Sequence, residues 1–191
     1  MVSEILSHPP TIETERLILR PLTLEDAEAV YTYGSDPEVT KNVSFDTHKS
    51  IEDSITFLRK ILDSYSKGID PASLGIVTKA SSNLIGTIGY LNWNADQKRI
   101  EIGYAIAQPY WNKGYVSEAA RALIDYLFRN SELERIEAIC RVPNVGSARV
   151  MEKAGMTFEG ILRKRVFFKG ELHDMKMYSL LRDEWQGKNS N

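Results

Sequence analysis

One joint constrains this chain more than any other feature: the stretch EIGYAIAQPYWNKGYVSEAARALIDYLF, from Glu101 to Phe128. Glu101 to Ala107 reads as a strand. From Ser117 onward, Ala119, Ala120, Leu123, Ile124 and Leu127 recur at helical spacing, so a strand passes almost directly into a helix whose apolar stripe anchors it to a sheet. Between them lies QPYWNKGYV, with a proline, a glycine, a lysine and three aromatics. Such a turn exposes the first unpaired N–H groups of the helix, and these donors, with the helix dipole, form a site for phosphate. Gly114 permits close backbone approach or positive φ, and Lys113 offers a mobile cation to the same anion. Many glycine-containing turns bind nothing, and an idle turn in a structural domain is the competing reading. Neither G-x-x-x-x-G-K-[ST] nor G-x-G-x-x-G occurs, which disfavours a nucleotide held in either of those ways.

The remaining chain alternates strands and helices with short connections. Glu15 to Leu22 alternates as a strand, and Thr23 with Asp26 predicts a helix start running to about Tyr33, which SDPEV breaks. Ser50 predicts the cap of a second helix with Ile51, Ile55, Leu58, Ile61, Leu62 and Tyr65 on one face, ended by Gly68. SLGIVTKA, LIGTIGYLNW and KRIEIGYAIA predict an antiparallel meander. After the central helix come the strand RIEAICRV, a short helix over SARVMEKAG, and two strands turning at Lys169-Gly170. At 191 residues, 42% hydrophobic and 26% charged, this pattern predicts one α/β domain over residues 1–191, with its core at about 11–186 and a frayed tail at 187–191. The expected fold is layered: a mixed, mostly antiparallel sheet of six or seven strands with helices on both faces.

Charge and cysteine usage remove several functions. A net charge of -2 and pI near 6.0 give no general electrostatic reason to bind nucleic acid or an anionic membrane. The single cysteine, Cys140, excludes an intrachain disulfide framework, and three scattered histidines leave no metal to propose. The N-terminus lacks a leader pattern and no long apolar run occurs, so a cytoplasmic location is expected.

EIGYAIAQPYWNKGYVSEAARALIDYLF followed by RIEAICRVPNVGSARVMEKAGMTFEG resembles the two central motifs of GNAT-type N-acetyltransferases, closest to the branch that acetylates ribosomal-protein N-termini. The resemblance runs from TERLILRPLTLEDA to HDMKMYSLLRDEW. It implies acetyl-coenzyme A as cosubstrate, its pyrophosphate wrapped by the backbone of Trp111, Asn112, Lys113, Gly114, Tyr115, Val116 and Ser117. It also implies pantetheine contacts from the main chain of Ala105, Ile106 and Ala107 and from Asn144, with Arg149 reaching the coenzyme's phosphates. Asn112 stands where the family usually has glycine, and Val116 where it has a small residue; neither removes a backbone donor. If Asn112 takes positive φ, asparagine tolerates it better than most residues.

The implied chemistry is acetyl transfer to a primary amine, most closely a protein N-terminus, with a monomer or homodimer both open. An attacking amine must be neutral: an α-amino group of pKa about 8 needs roughly 1.4 kcal/mol at pH 7, a lysine near 10.4 roughly 4.6. Glu101, a carboxylate among apolar neighbours, is the candidate water-mediated base, unless it faces solvent or pairs with Arg99. The tyrosine that many members use to protonate the thiolate is replaced by Met151. In the ribosomal branch a serine is the suspected donor, here Ser147, whose alternative is to cap local backbone. A second acid proposed in some ribosomal-protein acetylases falls at Val166, which cannot do acid–base work. Asp174, Tyr178, Tyr90 and Trp93 either line the acceptor cleft or simply pack. Cys140 is expected to be structural, implying direct transfer without an acetyl-cysteine, and His173 to lie at the surface. Two rivals stay open: a polyamine or other small-amine acetyltransferase, favoured by an acid-rich cleft, and an acyl-coenzyme-binding protein that has lost catalysis.

Overall fold

The computed structural model describes Ile5, residues 8–43 and residues 45–189. Its strands are β1 (Ile12–Glu13), β2 (Leu17–Pro21), β3 (Ala72–Thr78), β4 (Leu84–Asn94), β5 (Arg99–Ile106), β6 (Arg135–Arg141), β7 (Thr157–Phe168) and β8 (Glu171–Leu181). The helices are α1 (Ala27–Gly34), α2 (Pro37–Thr40), α3 (Ile51–Lys67), α4 (Tyr115–Arg129), α5 (Val145–Lys153) and α6 (Arg182–Asn189). Among the described residues the strands form one eight-stranded sheet in the order β1-β2-β3-β4-β5-β6-β8-β7. The pairings are antiparallel except β5 with β6, the mixed layered sheet the sequence predicts.

Local signals act where they were expected. Asp53 Oδ2 accepts from the amides of Lys49 and Ser50 at the start of α3, and Gly68 ends that helix at φ 61°. Asp26 accepts from the Thr23 amide at 2.8 Å and pairs bidentately with Arg20, which fixes the entry to α1. Lys169 and Gly170, at φ 52° and 85°, turn β7 into β8. β5 shows how the sheet is covered. Ile102 and Ile106 join the core under α4, with Leu19, Ile88, Leu123 and Ile124, whereas Ala105 joins Leu22, Val30, Tyr33, Leu58 and Ile61 under α1 and α3. Period-two alternation thus gives this strand one helical layer on each side.

Three expectations need correction. The strand count is eight, because Ile12 pairs with Leu19 in a two-residue β1 too short to carry alternation. SDPEV holds a one-turn helix, α2, started by Pro37 and by Asp36 Oδ1 accepting from the Glu38 amide. The final strand stops at Leu181 instead of running on through Asp183, Glu184 and Trp185, because α6 takes RDEWQGKN; residues 190–191 lie outside the described residues. Long-range contacts decide this. The Trp185 indole donates to Asp125 Oδ1 and its ring lies 5.3 Å from that of Phe128, docking α6 against α4. No described helix is long and apolar enough to cross a membrane.

Candidate active site

The parallel pairing of β5 and β6 runs only from Arg99↔Arg135 to Glu101↔Glu137, although β5 continues to Ile106 and β6 to Arg141. Beyond Glu101 the two strands part. The free edge of β5 beyond Glu101 borders this wedge, and α5, starting at its N-cap Asn144, stands across it, with Ser147 touching Tyr104 of β5. Ala105 pairs with Thr87 on the β4 side, and Ala107 is engaged within the fold, its amide donating to the Ile85 carbonyl at 2.9 Å and its carbonyl accepting from the Tyr110 amide at 3.0 Å. β4 supports the wall at contact distance: a Cβ on Gly86 would sit 2.2 Å from the Ala105 carbonyl oxygen. The Ile106 carbonyl accepts from the Trp111 indole at 2.9 Å, which ties the turn after the strand back onto it.

That turn has the form its sequence predicts. Asn112 and Gly114 both take left-handed conformations, at φ 59° and 80°, and Gly114 is the N-cap of α4. The Glu118 amide bonds to the Gly114 carbonyl at 3.0 Å, so the amides of Tyr115, Val116 and Ser117 before it are the helix's orphan donors, aligned with a 15-residue dipole. Lys113 is exposed, its ammonium 5.7 Å from the Tyr110 ring. Arg149 is also exposed, and Asn144 is half-buried with Oδ1 accepting from the Ser147 amide. A long, thin ligand with an anionic end fits such a wedge and cradle.

Sequence reasoning missed the residue that shapes the cradle, Arg16. Its Nε pairs with Glu118 Oε2 at 2.6 Å, its Nη1 donates to the Lys113 carbonyl at 3.1 Å, and its guanidinium lies 4.5 Å from the Tyr115 ring centroid. Glu118 also accepts from Thr14 Oγ1 and the Arg16 amide, and these bonds hold its carboxyl below the ordinary range against the opposing effect of burial. The acidic residue in the first turn of α4 is thus kept neutralised. Arg16→Ala is expected to leave that charge unpaired and raise the Kd of an anion held at these amides about two- to fivefold by calorimetry, an effect that shrinks in high salt. The signal was not local: Arg16 and Glu118 stand 102 residues apart.

At the fork, two glutamates face each other in register with opposite environments. Glu137 is buried and accepts from Arg99 Nη1 at 3.0 Å and Arg135 Nε at 2.6 Å; Arg135 continues bidentately to Glu159. Among the described residues Glu101 receives only the Asn92 amide, Nδ2 to Oε2 at 3.0 Å. Burial raises the Glu101 pKa, the negative Glu137 adds to the rise, and Asn92, Arg165 and Arg99 oppose it without cancelling it. Arg99 is therefore the partner of Glu137, and Glu101 is left a half-buried carboxyl with elevated proton affinity at the mouth of the wedge.

On the far wall Tyr104 Oη lies 2.9 Å from Ser147 Oγ and 3.1 Å from the Ser147 carbonyl oxygen, two acceptors for its one hydroxyl proton. Tyr104 was not singled out in the sequence, where it reads as one more strand aromatic. Burial pushes its pKa well up, so it stays a neutral hydroxyl. Met151 is buried on the inner face of α5 and Val166 is half-buried on β7. Cys140 is buried and its thiol is pushed up by burial, as expected of a structural residue. Tyr90 bonds to the Ile5 carbonyl, Tyr178 to Glu152, and Trp93 packs on the core, so these three serve packing. Asp174 borders an open groove along β7. His173 corrects the sequence reading. It is buried, its ring 4.3 Å from Phe168, and Nε2 donates to the Phe168 carbonyl at 3.1 Å, because the hairpin folds that ring over it.

Residues 16–157 match the family model described as an acetyltransferase (GNAT) domain. The chain is 37% identical over 177 residues to the uncharacterized N-acetyltransferase p20 of Bacillus licheniformis, covering 93% of this chain and 99% of that protein. It is 32% identical over 100 residues to the ribosomal-protein-serine acetyltransferase of Escherichia coli, covering 52% and 56%. A crystal structure of a GNAT-family acetyltransferase from Bacillus anthracis superposes with a TM-score of 0.81 at 33% identity, over 91% of this chain and 99% of that one. The chain belongs to the GNAT family: it is an acetyl-coenzyme A-dependent N-acetyltransferase.

Proposed function

We propose that this enzyme acetylates the α-amino group of a protein N-terminus by direct attack on acetyl-coenzyme A in a ternary complex. The observation that carries the reading is Glu101, which among the described residues makes no ion pair at the fork while Glu137 beside it takes two arginines. Burial makes this carboxylate a better base for an attacking amine, and an α-amine asks less of it, about 1.4 kcal/mol at pH 7 against about 4.6 for a lysine. The 32% identity to a ribosomal-protein-serine acetyltransferase supports the same acceptor class.

The backbone amides of residues 112–117, among them the orphan donors of Tyr115, Val116 and Ser117, hold the pyrophosphate with Lys113, and Arg149 adds charge at the same end. Ala105, Ile106, Ala107 and Asn144 guide the pantetheine along the wedge, so the thioester lies between Glu101 and Ser147. The amine nitrogen forms a bond to the carbonyl carbon, its proton passes through water to Glu101, and the carbon–sulfur bond breaks. Ser147 donates its O–H to the departing sulfur. Tyr104 carries one hydroxyl proton and has two acceptors on Ser147; donated to Oγ, it leaves the serine proton free for the sulfur. With Cys140 buried and protonated, no acetyl-cysteine intervenes.

Release of coenzyme A, measured with N-terminal peptides, lysine peptides, spermidine and aminoglycosides, tests the acceptor class: turnover confined to N-terminal peptides is expected, and turnover confined to any other amine refutes it. Ser147→Ala is expected to lower kcat about tenfold with the KM for acetyl-coenzyme A unchanged, the scale of one hydrogen bond to a developing charge.

A further inference from the structure

Between Leu162↔Met175 and Val166↔His173, β7 spends three residues, Arg163, Lys164 and Arg165, against one on β8, Asp174. The excess forms a wide bulge held by Asp174 Oδ1, which accepts from the Lys164 amide at 2.7 Å, with Lys164 at φ 48°. The bulge and its neighbours Ile161 and Leu162 line an open groove of about 670 Å³. All three cations are exposed. Arg16, Arg20, Arg99, Arg135 and Arg182 are each paired with a carboxylate, but none of the three bulge cations has a salt bridge or side-chain hydrogen bond among the described residues. Asp174 supplies one negative charge against three positive. The bulge adjoins the wedge: the Asp174 carbonyl accepts from the Val142 amide at 3.2 Å, two residues before Asn144, the N-cap of α5, and Arg165 is among the charges that act on Glu101.

We propose that the Arg163–Lys164–Arg165 bulge is an acceptor subsite selecting polypeptides that carry aspartate or glutamate within about the first six residues after the acetylated one. The inference rests on the N-terminal acetylation reading and names its substrate class. An extended peptide advances about 3.3 Å per residue, so a chain whose N-terminus lies at Glu101 runs along β7 within a few residues. Its side chains then meet unpaired guanidinium groups, and the exposed Ile161 offers an apolar contact between charges. The same cations repel a polyamine, whose charges would need a cleft rich in carboxylates.

The test compares kcat/KM for three peptides of one N-terminal residue and length, with acidic, neutral or lysine residues at positions two to six. The wild-type enzyme is expected to favour the acidic over the lysine peptide by roughly tenfold or more, the sum of two or three exposed charge contacts, with the ratio falling in high salt. Arg163→Glu combined with Lys164→Glu, which leaves Arg165 beside Glu101, is expected to reverse the preference while acetyl-coenzyme A binding stays unchanged. Equal rates on all three peptides, or an acidic preference that survives the charge reversal, overturn the subsite alone. Acetylation of small amines with none of any peptide overturns the N-terminal reading and the subsite together.

Discussion

Glu101→Gln should lower kcat roughly 10²- to 10³-fold, leave the KM for acetyl-coenzyme A near the wild-type value, and cost no stability at neutral pH. The three results belong together because each follows from the environment of one carboxyl. Burial without an arginine partner raises its pKa, so the folded state binds the Glu101 proton more tightly than the unfolded chain does. Stabilisation from that proton is complete below the ordinary glutamate pKa, 4.5, and disappears as pH rises through the higher folded value. Glutamine mimics the protonated form at every pH. Thermal melts should therefore show the variant at or above the wild type at pH 7 and the two converging near pH 4. The ascending limb of the wild-type pH–rate profile should lie above the ordinary glutamate range and vanish in Glu101→Gln, leaving only the limb set by the acceptor amine. A variant that loses activity together with several degrees of melting temperature would mark Glu101 as a structural residue.

Gly114→Val should raise the KM for acetyl-coenzyme A at least about tenfold. At φ 80° a β-branched side chain is strained by about 1–3 kcal/mol, and the first turn of α4 can relieve that only by rotating the amides of Tyr115 to Ser117 out of their alignment. A loss of about 1.4 kcal/mol in anion binding is already tenfold. Asn112→Gly is the control. It keeps the left-handed turn, removes the modest strain of asparagine at φ 59°, and should leave the KM unchanged. Equal damage from both substitutions would show that side-chain contacts, not backbone donors, bind the coenzyme.

The contrast between these residues and the ones the sequence concealed has a physical basis. Gly114 was legible because a helix N-terminus, its glycine and its lysine are adjacent in the chain, and the amphipathic stripe that follows is strictly local. Ser50, Gly68 and the Lys169-Gly170 turn were legible for the same reason. Glu101 could be nominated from its apolar neighbours. Whether Arg99 would neutralise it depended on the register Glu101↔Glu137, which a strand 36 positions later supplies. The Tyr104–Ser147 contact joins residues 43 apart, and Arg16 clamps a turn about a hundred residues away, so neither leaves a trace in a window of sequence. The β7 bulge is invisible until β8 is laid beside it. Read alone, ILRKRVFF looks like one continuous strand, and only the pairing shows three cations set against one aspartate.

The central claim is that an α-amine is the acceptor and that the weak demand it makes on a base is met by Glu101. A single peptide bearing both a free N-terminus and an internal lysine, incubated with enzyme and acetyl-coenzyme A and sequenced by tandem mass spectrometry, tests it most directly. One acetyl group on the α-nitrogen, absent with Glu101→Gln, is the predicted result. Acetylation of the lysine side chain, or an untouched peptide beside rapidly acetylated spermidine, would contradict it.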